Sequence, residues 1–384
     1  MAFELKEETV RAILEEGRKR AASAVLPLFG GGTLDPAEMA ALFYSRFDAE
    51  ELRAAALARR AGLGCGLETF SPLYLTNTCD AECLMCGMRR DNDRLERQTV
   101  SPAAASEQLR ILKQRGVLAV ALLTGEYRRE TRHWGIGLTR EALCCALDLG
   151  FRHVLINIGS LDRSELDRLL AEVPRNGAGR LAPKVTLCTF QETYDRETYR
   201  KFMGENPENP RADFERRLRN FDRGAEAGMN VVNPGVLLGL CRDLGYELVA
   251  LALHVRHLLA LGLEVYVSVP RLRQATGAEN SRGVSDDEFV RLVAVLSLSL
   301  PEAKIVITTR EPAEIQRRVL PMVTVLSAGS SAVAPYTETG ARFPLEASQF
   351  RVIDQRPIEA ILAEYLREGV TFENFFPPAR EAGV

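Results

Sequence analysis

The stretch LYLTNTCDAECLMCGMRRDN, residues 73–92, places Cys79, Cys83 and Cys86 within a few positions of one another. The spacing C-x3-C-x2-C allows one loop to hold three corners of a cubic iron-sulfur cluster. A structural zinc site usually needs four ligands, typically supplied as two C-x2-C pairs, and the chain has no second C-x2-C pair. The triplet therefore predicts a [4Fe-4S] cluster in which one iron is left open to bind another molecule.

Two other interpretations of the triplet stay open at this point. The first is a zinc site completed by a distant Cys or His, and the second is a set of three buried, unreactive thiols. The remaining cysteines are predicted to behave as small buried hydrophobic residues: Cys65, Cys144, Cys145, Cys188 and Cys241. Cys144 and Cys145 are neighbours on a predicted helix and face different directions, so they are not expected to chelate a metal together.

Composition describes an ordinary globular chain of 384 residues with a net charge of -3. This balance predicts neither a nucleic acid partner nor an anionic membrane surface. The longest apolar stretches, such as 244–253 and 292–300, fall short of the roughly 20 residues that a membrane span needs. The N-terminal sequence MAFELKEETVRAILEEGRKR is too charged for a signal peptide. We therefore expect a cytoplasmic protein, where clustered cysteines favour metal binding or catalysis over disulfides.

Short runs rich in Val, Leu and Ile alternate with helical segments from residue 70 onward. The predicted strands are 71–76, 118–123, 153–158, 184–189, 231–237, 264–268, 304–309 and 323–326. Eight strands separated by helices predict an α/β fold, a (β/α)8 barrel of the TIM type. Chemistry in such barrels lies on the loops after the strands, and the cysteine triplet directly follows the first strand.

Two smaller regions flank the predicted barrel, which we assign to residues 67–345. Residues 1–66 are expected to form a helical extension, since Val10, Ile13 and Leu14 make an apolar stripe. Asp35 followed by Pro36 is typical of a helix start. Residues 346–384 are expected to form a short cap with a helix at 357–367.

The stretch FSPLYLTNTCDAECLMCGMRRDN, residues 70–92, resembles the aromatic amino acid lyase branch of the radical S-adenosylmethionine (SAM) enzymes. The resemblance continues to residue 376 through TFQETYDRETYRKFMG (189–204), SVPRLR (268–273), VITTREP (306–312) and SAGSSAVAPY (327–336). It implies a radical SAM barrel in which Cys79, Cys83 and Cys86 hold a [4Fe-4S] cluster and SAM binds the open iron. It also implies a 5'-deoxyadenosyl radical and a reductant such as flavodoxin or ferredoxin.

Thr124, Gly125 and Glu126 follow the second predicted strand. A glycine permits close approach of the backbone to a ligand, and a carboxylate can accept hydrogen bonds from an ammonium group. By resemblance, these residues occupy the place of the motif that meets the amino group of SAM, with Thr124 replacing a glycine. The alternative is an ordinary turn with a solvated glutamate.

Other residues are assigned to SAM by the resemblance. Gln191 and Glu192 are expected at the ribose or the methionine end, although both also suit the start of the helix that follows. The resemblance further assigns Met85, Asn157, Gly235 and Arg271 to the cofactor site. Arg273 shares a motif with Arg271 and could serve either SAM or the substrate.

Three residues are expected to contact the substrate. Arg310 ends the seventh predicted strand, and a guanidinium is a natural bidentate partner for an amino acid carboxylate. The alternative for Arg310 is an ion pair with Glu311 or Glu314. By resemblance, Arg310 and Tyr74 are catalytic residues beside the substrate and Ser327 contacts an indole N–H, while core packing alone would also explain Tyr74.

The ITTREP and SAGSSAVAPY segments favour a tryptophan lyase that forms 3-methyl-2-indolic acid. A tyrosine lyase that yields p-cresol and dehydroglycine is the alternative enzyme, and a non-catalytic iron-sulfur protein is the alternative outside enzymes. The hydrogenase-assembly relative is less expected, because it needs extra C-terminal cysteines and no cysteine follows Cys241.

Overall fold

Eight parallel strands close into a barrel in the computed structural model, which describes residues 2–26, 33–60, 66–279 and 283–377. The strands are β1 (Gly66–Tyr74), β2 (Ala119–Leu123), β3 (His153–Asn157), β4 (Lys184–Cys188), β5 (Val231–Asn233), β6 (Glu264–Ser268), β7 (Lys304–Thr308) and β8 (Val325–Ser327). Each strand pairs with its successor, and β1 closes the barrel by pairing with both β2 and β8. The predicted α/β barrel is confirmed.

The first strand is longer than the sequence pattern predicted. Its residues Glu68–Phe70 pair with β8, and Ser71–Tyr74 pair with β2. A further strand, β9 (Thr371–Phe372), pairs with Gly66 and Leu67 at the start of β1. Two residues are too few to produce a recognisable alternation, so this strand was not predicted.

Helices surround the barrel and form the N-terminal region. They are α1 (Glu7–Arg20), α2 (Pro36–Tyr44), α3 (Ala49–Arg60), α4 (Pro102–Gln114), α5 (Arg132–Asp148), α6 (Arg163–Leu169), α7 (Arg196–Met203), α8 (Phe214–Leu218), α9 (Asn220–Glu226), α10 (Leu244–Ala260), α11 (Asp286–Ser299), α12 (Ala313–Val319) and α13 (Ile358–Arg367). The helix predicted at 357–367 is present as α13. None of the helices in the described ranges is both long and apolar enough to cross a membrane.

The N-terminal helices pack on the outside of the barrel. Helices α1 and α2 contact α10, and α2 and α3 contact α11. The Asp35 side chain caps α2 in a reciprocal box with Glu38, which confirms the predicted helix start. Val10 and Leu14 of the predicted stripe are buried.

The barrel interior is closed at its N-terminal end and apolar in its middle. Glu68 is buried there and accepts hydrogen bonds from Lys184 and from Tyr266, the latter at 2.5 Å. Burial alone would raise the pKa of Glu68, but hydrogen bonds from His153, Lys304 and Tyr266 hold it well below the ordinary value. Above this network lies an apolar layer made by Phe70, Ala119, Ala121, Leu155, Val231, Tyr266, Val306 and Val325. Access to the interior is therefore from the C-terminal ends of the strands.

Candidate active site

A chamber of about 180 Å³ lies at the C-terminal ends of the strands. Its wall brings together most of the residues singled out in the sequence: Tyr74, Cys79, Cys83, Met85, Cys86, Thr124, Gly125, Glu126, Asn157, Glu192, Arg273, Arg310 and Ser327. These residues come from seven strand ends and the loops that follow them. The predicted location of the chemistry thus agrees with the fold.

The three cysteines of the triplet fit an iron-sulfur cluster. Cys79 Sγ accepts hydrogen bonds from the backbone N–H groups of Ala81 at 3.4 Å and Glu126 at 3.3 Å. Cys86 Sγ accepts one from the side chain of Gln349 at 3.5 Å. Such N–H donors suit thiolate ligands. Burial raises the pKa of the Cys79 thiol to about 11, so cluster assembly must displace its proton.

The alternative of a single zinc ion finds no support in the geometry. Within the described ranges, no three Cys, His, Asp or Glu side chains converge closely enough to hold one metal ion. In a [4Fe-4S] cluster each of the three thiolates binds a different iron, so the three sulfur atoms need not converge on a single metal ion. The donor set therefore fits a cluster better than a mononuclear site.

Gly125 lies against the cysteine loop, and its close approach to a ligand stays a prediction. A Cβ atom at this position would lie 2.2 Å from the Thr78 carbonyl oxygen and 2.7 Å from Cys79 Cβ. The close approach is thus to the protein backbone. Any larger residue would push the second strand's loop away from Cys79.

Glu126 is buried rather than solvated, which excludes the alternative of an ordinary exposed turn. Its carboxylate accepts hydrogen bonds from the Ser160 N–H at 3.0 Å and from Arg217 at 2.7 Å. Arg211 also lies 3.5 Å from it. Glu126, the residue predicted to accept hydrogen bonds from the amino group of SAM, therefore already lies beside two arginine side chains.

Glu192 and Arg211 extend this buried network. Arg211 donates to the Glu192 carboxylate at 2.8 Å. Burial alone would lower the pKa of Arg211, but Cys83, Glu192 and Glu126 hold it well above the ordinary value. Glu192 adopts a left-handed backbone with φ 70°, a conformation that costs energy and often marks functional positions.

The helix-capping alternative for Gln191 and Glu192 is wrong. The following helix α7 is capped by Asp195, whose side chain accepts from the Thr198 N–H at 2.8 Å. Gln191 is buried, and its Nε2 atom has no hydrogen-bond partner among the residues the structure describes.

Three of the predicted cofactor residues do not line the chamber: Gln191, Gly235 and Arg271. Arg271 is committed elsewhere, since it donates to Glu311 at 2.8 Å and to Asp286 at 2.7 Å. Gly235 acts through packing, because a Cβ there would lie 2.7 Å from the ring of Phe190, a residue of the chamber wall. The roles of these three residues toward SAM stay predictions.

Arg310 reaches the chamber without a charged partner. Its guanidinium forms no ion pair or hydrogen bond within the described part of the chain, and it lies over the ring of Phe350. The alternative of an ion pair with Glu311 is wrong, because that carboxylate binds Arg271 and Arg273. Burial lowers the pKa of Arg310. A positive charge enclosed in this way leaves its N–H groups available to an anionic ligand.

Tyr74 and Ser327 stand on neighbouring parts of the same wall. Tyr74 is buried, and its hydroxyl donates to Gln349 Oε1 at 2.6 Å. The Ser327 hydroxyl makes no hydrogen bond to any residue that the structure describes. A free hydroxyl at the end of β8 can therefore bind a polar group of a ligand.

Sequence reasoning missed four contributors to the site. Arg211 and Arg217 lie in a loop and a short helix without a recognisable motif. Gln349 and Phe350 belong to the region predicted to be only a cap, yet both line the chamber. The segment RADFERR, rich in arginine after a predicted loop, was a weak signal for the first pair; the second pair gave none.

The prediction that the other cysteines are buried is confirmed only for Cys188. Cys188 ends β4 on the chamber wall, where its thiol donates to Asn233 at 3.3 Å. The prediction is wrong for Cys144, Cys145 and Cys241, which are partly exposed because they lie on or beside outer helices. Cys65 lies outside the described residues.

Comparisons with known proteins find relatives that are similar in sequence and in fold. Residues 268–371 match the Biotin and Thiamin Synthesis associated domain. The chain is 27% identical over 319 residues to 2-iminoacetate synthase from Escherichia coli (strain K12). The aligned region covers 81% of this chain and 78% of the synthase.

Two solved structures of the [FeFe]-hydrogenase maturase HydG are similar along nearly the whole chain. The protein from Carboxydothermus hydrogenoformans superposes with a TM-score of 0.77 at 24% identity. The aligned region covers 97% of this chain and 81% of the HydG chain. A second HydG structure superposes with a TM-score of 0.75 at 27% identity, and the aligned region covers 96% of this chain and 77% of the HydG chain.

Proposed function

We propose, from the premise that the chain is a radical SAM enzyme of the aromatic amino acid lyase type, that it converts L-tryptophan to 3-methyl-2-indolic acid. The resemblance of the ITTREP and SAGSSAVAPY segments carries the choice of tryptophan. Two side chains on one chamber wall, neither with a polar partner among the described residues, support the binding of an amino acid there. Arg310 offers an unpaired guanidinium, and Ser327 offers a free hydroxyl. A carboxylate at the first and an indole N–H at the second account for both.

The cofactors are a [4Fe-4S] cluster and SAM. Cys79, Cys83 and Cys86 would hold the cluster, and when bound the two cofactors supply a 5'-deoxyadenosyl radical that removes a hydrogen atom from the substrate. The acidic and basic side chains of the same chamber wall, Glu126, Glu192, Arg211 and Arg217, would hold the oppositely charged groups of the methionine end of SAM.

Substrate orientation is the work of the protein's own residues. Arg310 binds the carboxylate and Ser327 binds the indole N–H, so both ends of the amino acid are fixed. Tyr74 lies on the wall of the same chamber. Holding both ends presents the α-amino group to the radical and keeps the carboxylate in place when its bond to Cα breaks.

L-tryptophan contains the same atoms as 3-methyl-2-indolic acid plus methanimine, so the hydrogen atom that the radical removes must be returned as an electron from the reductant and a proton. The carboxyl carbon moves from Cα to indole C2, and Cβ becomes the methyl group. Cα and the amine leave as methanimine. An anchored carboxylate favours this migration, because it keeps the one-carbon fragment beside the indole ring after cleavage.

L-tyrosine is the second candidate substrate. The similarity to a protein named 2-iminoacetate synthase favours it, since 2-iminoacetate is dehydroglycine, the product expected when the Cα–Cβ bond of tyrosine breaks. Arg310 could hold the tyrosine carboxylate equally well. Ser327 could bind the phenol in place of the indole.

Product identification tests the proposal. The anaerobic, reconstituted protein is incubated with SAM, dithionite and each aromatic amino acid, with Cys83→Ala as the matched control, and the products are identified by mass spectrometry. We expect 3-methyl-2-indolic acid from tryptophan alone. p-Cresol from tyrosine would overturn the assignment in favour of the second candidate, and absence of 5'-deoxyadenosine would indicate a non-catalytic iron-sulfur protein.

The proposal includes a cytoplasmic setting and a one-electron donor such as flavodoxin or ferredoxin. Replacing dithionite with each reduced donor protein in the same assay tests the choice of electron donor. Turnover with either donor supports it.

A further inference from the structure

The side chain of Gln349 lies between a chamber residue and a cluster ligand. Its Oε1 atom is 2.6 Å from the Tyr74 hydroxyl, and its Nε2 atom is 3.5 Å from Cys86 Sγ. The residue comes from the C-terminal region, far from both partners in sequence. One amide group therefore connects the first strand to the cysteine loop.

The backbone of Gln349 is held on two sides. Its N–H donates to the Ser331 carbonyl at 3.2 Å, and its carbonyl accepts from the Gly87 N–H at 3.1 Å. A Cβ atom at Gly87 would lie 2.8 Å from that carbonyl oxygen, so a glycine directly after Cys86 permits the contact. The amide is thus fixed relative to the cluster loop.

Chemistry decides which way the amide points. A thiolate sulfur bound to iron carries no proton and can only accept a hydrogen bond, so the NH2 group must face Cys86. The carbonyl oxygen then faces Tyr74, and the tyrosine hydroxyl must donate. The reversed amide would leave two acceptors facing each other at Cys86.

We infer that Gln349 is a positioning residue that raises the reduction potential of the cluster through its N–H bond to Cys86 and fixes the hydroxyl proton of Tyr74. An N–H donor withdraws electron density from the thiolate and so stabilises the reduced cluster. The N–H donors to Cys79 come from the backbone. Within the described ranges, Gln349 is the side-chain donor to the triplet, and it can be removed by substitution.

The second consequence concerns Tyr74 and rests on the proposed function. Because its proton is committed to Gln349, the hydroxyl oxygen presents lone pairs to the chamber. It can then accept a hydrogen bond from an N–H group of the substrate. Gln349 would in this way link the electronic state of the cluster to the orientation of the amino group that reacts.

The test measures the midpoint potential of the reconstituted full-length protein by EPR-monitored redox titration, without SAM or substrate. Gln349→Leu removes both hydrogen bonds. Gln349→Glu keeps an acceptor for Tyr74 but, when ionised, cannot donate to Cys86 and adds a negative charge. Tyr74→Phe is the matched control, since it removes the hydroxyl and leaves the amide beside the sulfur.

We expect a more negative potential for Gln349→Leu, a larger negative shift for Gln349→Glu, and a potential for Tyr74→Phe close to that of the wild type. Wild-type potentials in both Gln349 variants, or an equal shift in Tyr74→Phe, would overturn the inference. If Gln349→Leu does not retain its iron, the midpoint potential of Gln349→Glu compared with that of the wild type decides whether the inference holds. None of these readings depends on which amino acid is the substrate, so a wrong substrate assignment would show in product analysis alone.

Discussion

The guanidinium carbon of Arg310 lies 3.4 Å from the centre of the Phe350 ring. A cation over an aromatic face is attracted by the ring quadrupole, and the attraction strengthens when water is excluded. Both Arg310 and Phe350 line the chamber. This attraction explains how an enclosed arginine is tolerated without a carboxylate partner among the residues that the structure describes.

Replacing Arg310 tests the carboxylate assignment. Arg310→Lys keeps the charge but loses the bidentate geometry, and Arg310→Ala loses both. Truncating a buried charged partner costs roughly 2 to 5 kcal/mol, so we expect substrate affinity to fall about 30-fold or more in Arg310→Ala and less in Arg310→Lys. KM, product ratio and the cluster absorption spectrum are the measurements. Unchanged KM and product ratio would contradict the role.

The Ser327 hydroxyl is tested with an analogue that lacks the indole N–H. Ser327→Ala should raise KM for tryptophan several-fold, as expected for the loss of one neutral hydrogen bond of about 1 kcal/mol. For 3-(3-benzothienyl)alanine, in which sulfur replaces the N–H, wild type and variant should have equal KM values. An equal penalty for both substrates would show that Ser327 contributes packing rather than N–H recognition.

Removing any one thiol of the triplet should abolish cluster assembly. Cys79→Ala, Cys83→Ala and Cys86→Ala are expected to bind little iron and to produce no 5'-deoxyadenosine, because each thiolate holds a separate iron. Cys144→Ala, on an outer helix, is the control and should keep its iron. Iron and sulfide analysis with EPR provides the measurement, and turnover by any triplet variant would disprove the ligand set.

Glu247 predicts a pH dependence of stability. It is buried on α10, and burial raises its pKa to about 7 from an ordinary value of 4.5. Between these values the folded protein holds a proton that the unfolded chain has lost. The contribution of Glu247 to the free energy of unfolding should therefore fall by about 3 kcal/mol at most as pH rises from about 5 to about 7. The buried side chains of His153 and His254 act in the opposite direction, because burial lowers their pKa values and the unfolded chain holds protons that the folded protein does not.

Denaturant unfolding across this pH range measures the Glu247 effect. The free energy of unfolding of the wild type relative to that of Glu247→Gln should fall as pH rises, while the exposed control Glu8→Gln should keep the wild-type slope. An unchanged slope in Glu247→Gln would mean that hydrogen bonds from Thr193 and the Tyr194 N–H keep the carboxylate ionised in the folded state.

Much of the fold could be predicted because its signals are local. Each strand is a short apolar run, and the order of strands and helices restricts the topology to a barrel. The prediction failed where strand pairing depends on a partner far away in sequence. The two residues of β9 form a strand only because they pair with Gly66 and Leu67.

The sequence by itself was enough to predict the cysteine triplet as a cluster site, because the three cysteines lie in one loop and the chain fixes their spacing. It also placed Arg310 and Ser327 at strand ends. Only the tertiary structure decided that Arg310 has no ion-pair partner in the described part of the chain, since neighbouring Glu311 binds Arg271, and that Gln349 and Phe350 line the chamber. These contacts join residues far apart in sequence, and side-chain direction and packing, which no local pattern encodes, decide which of them form.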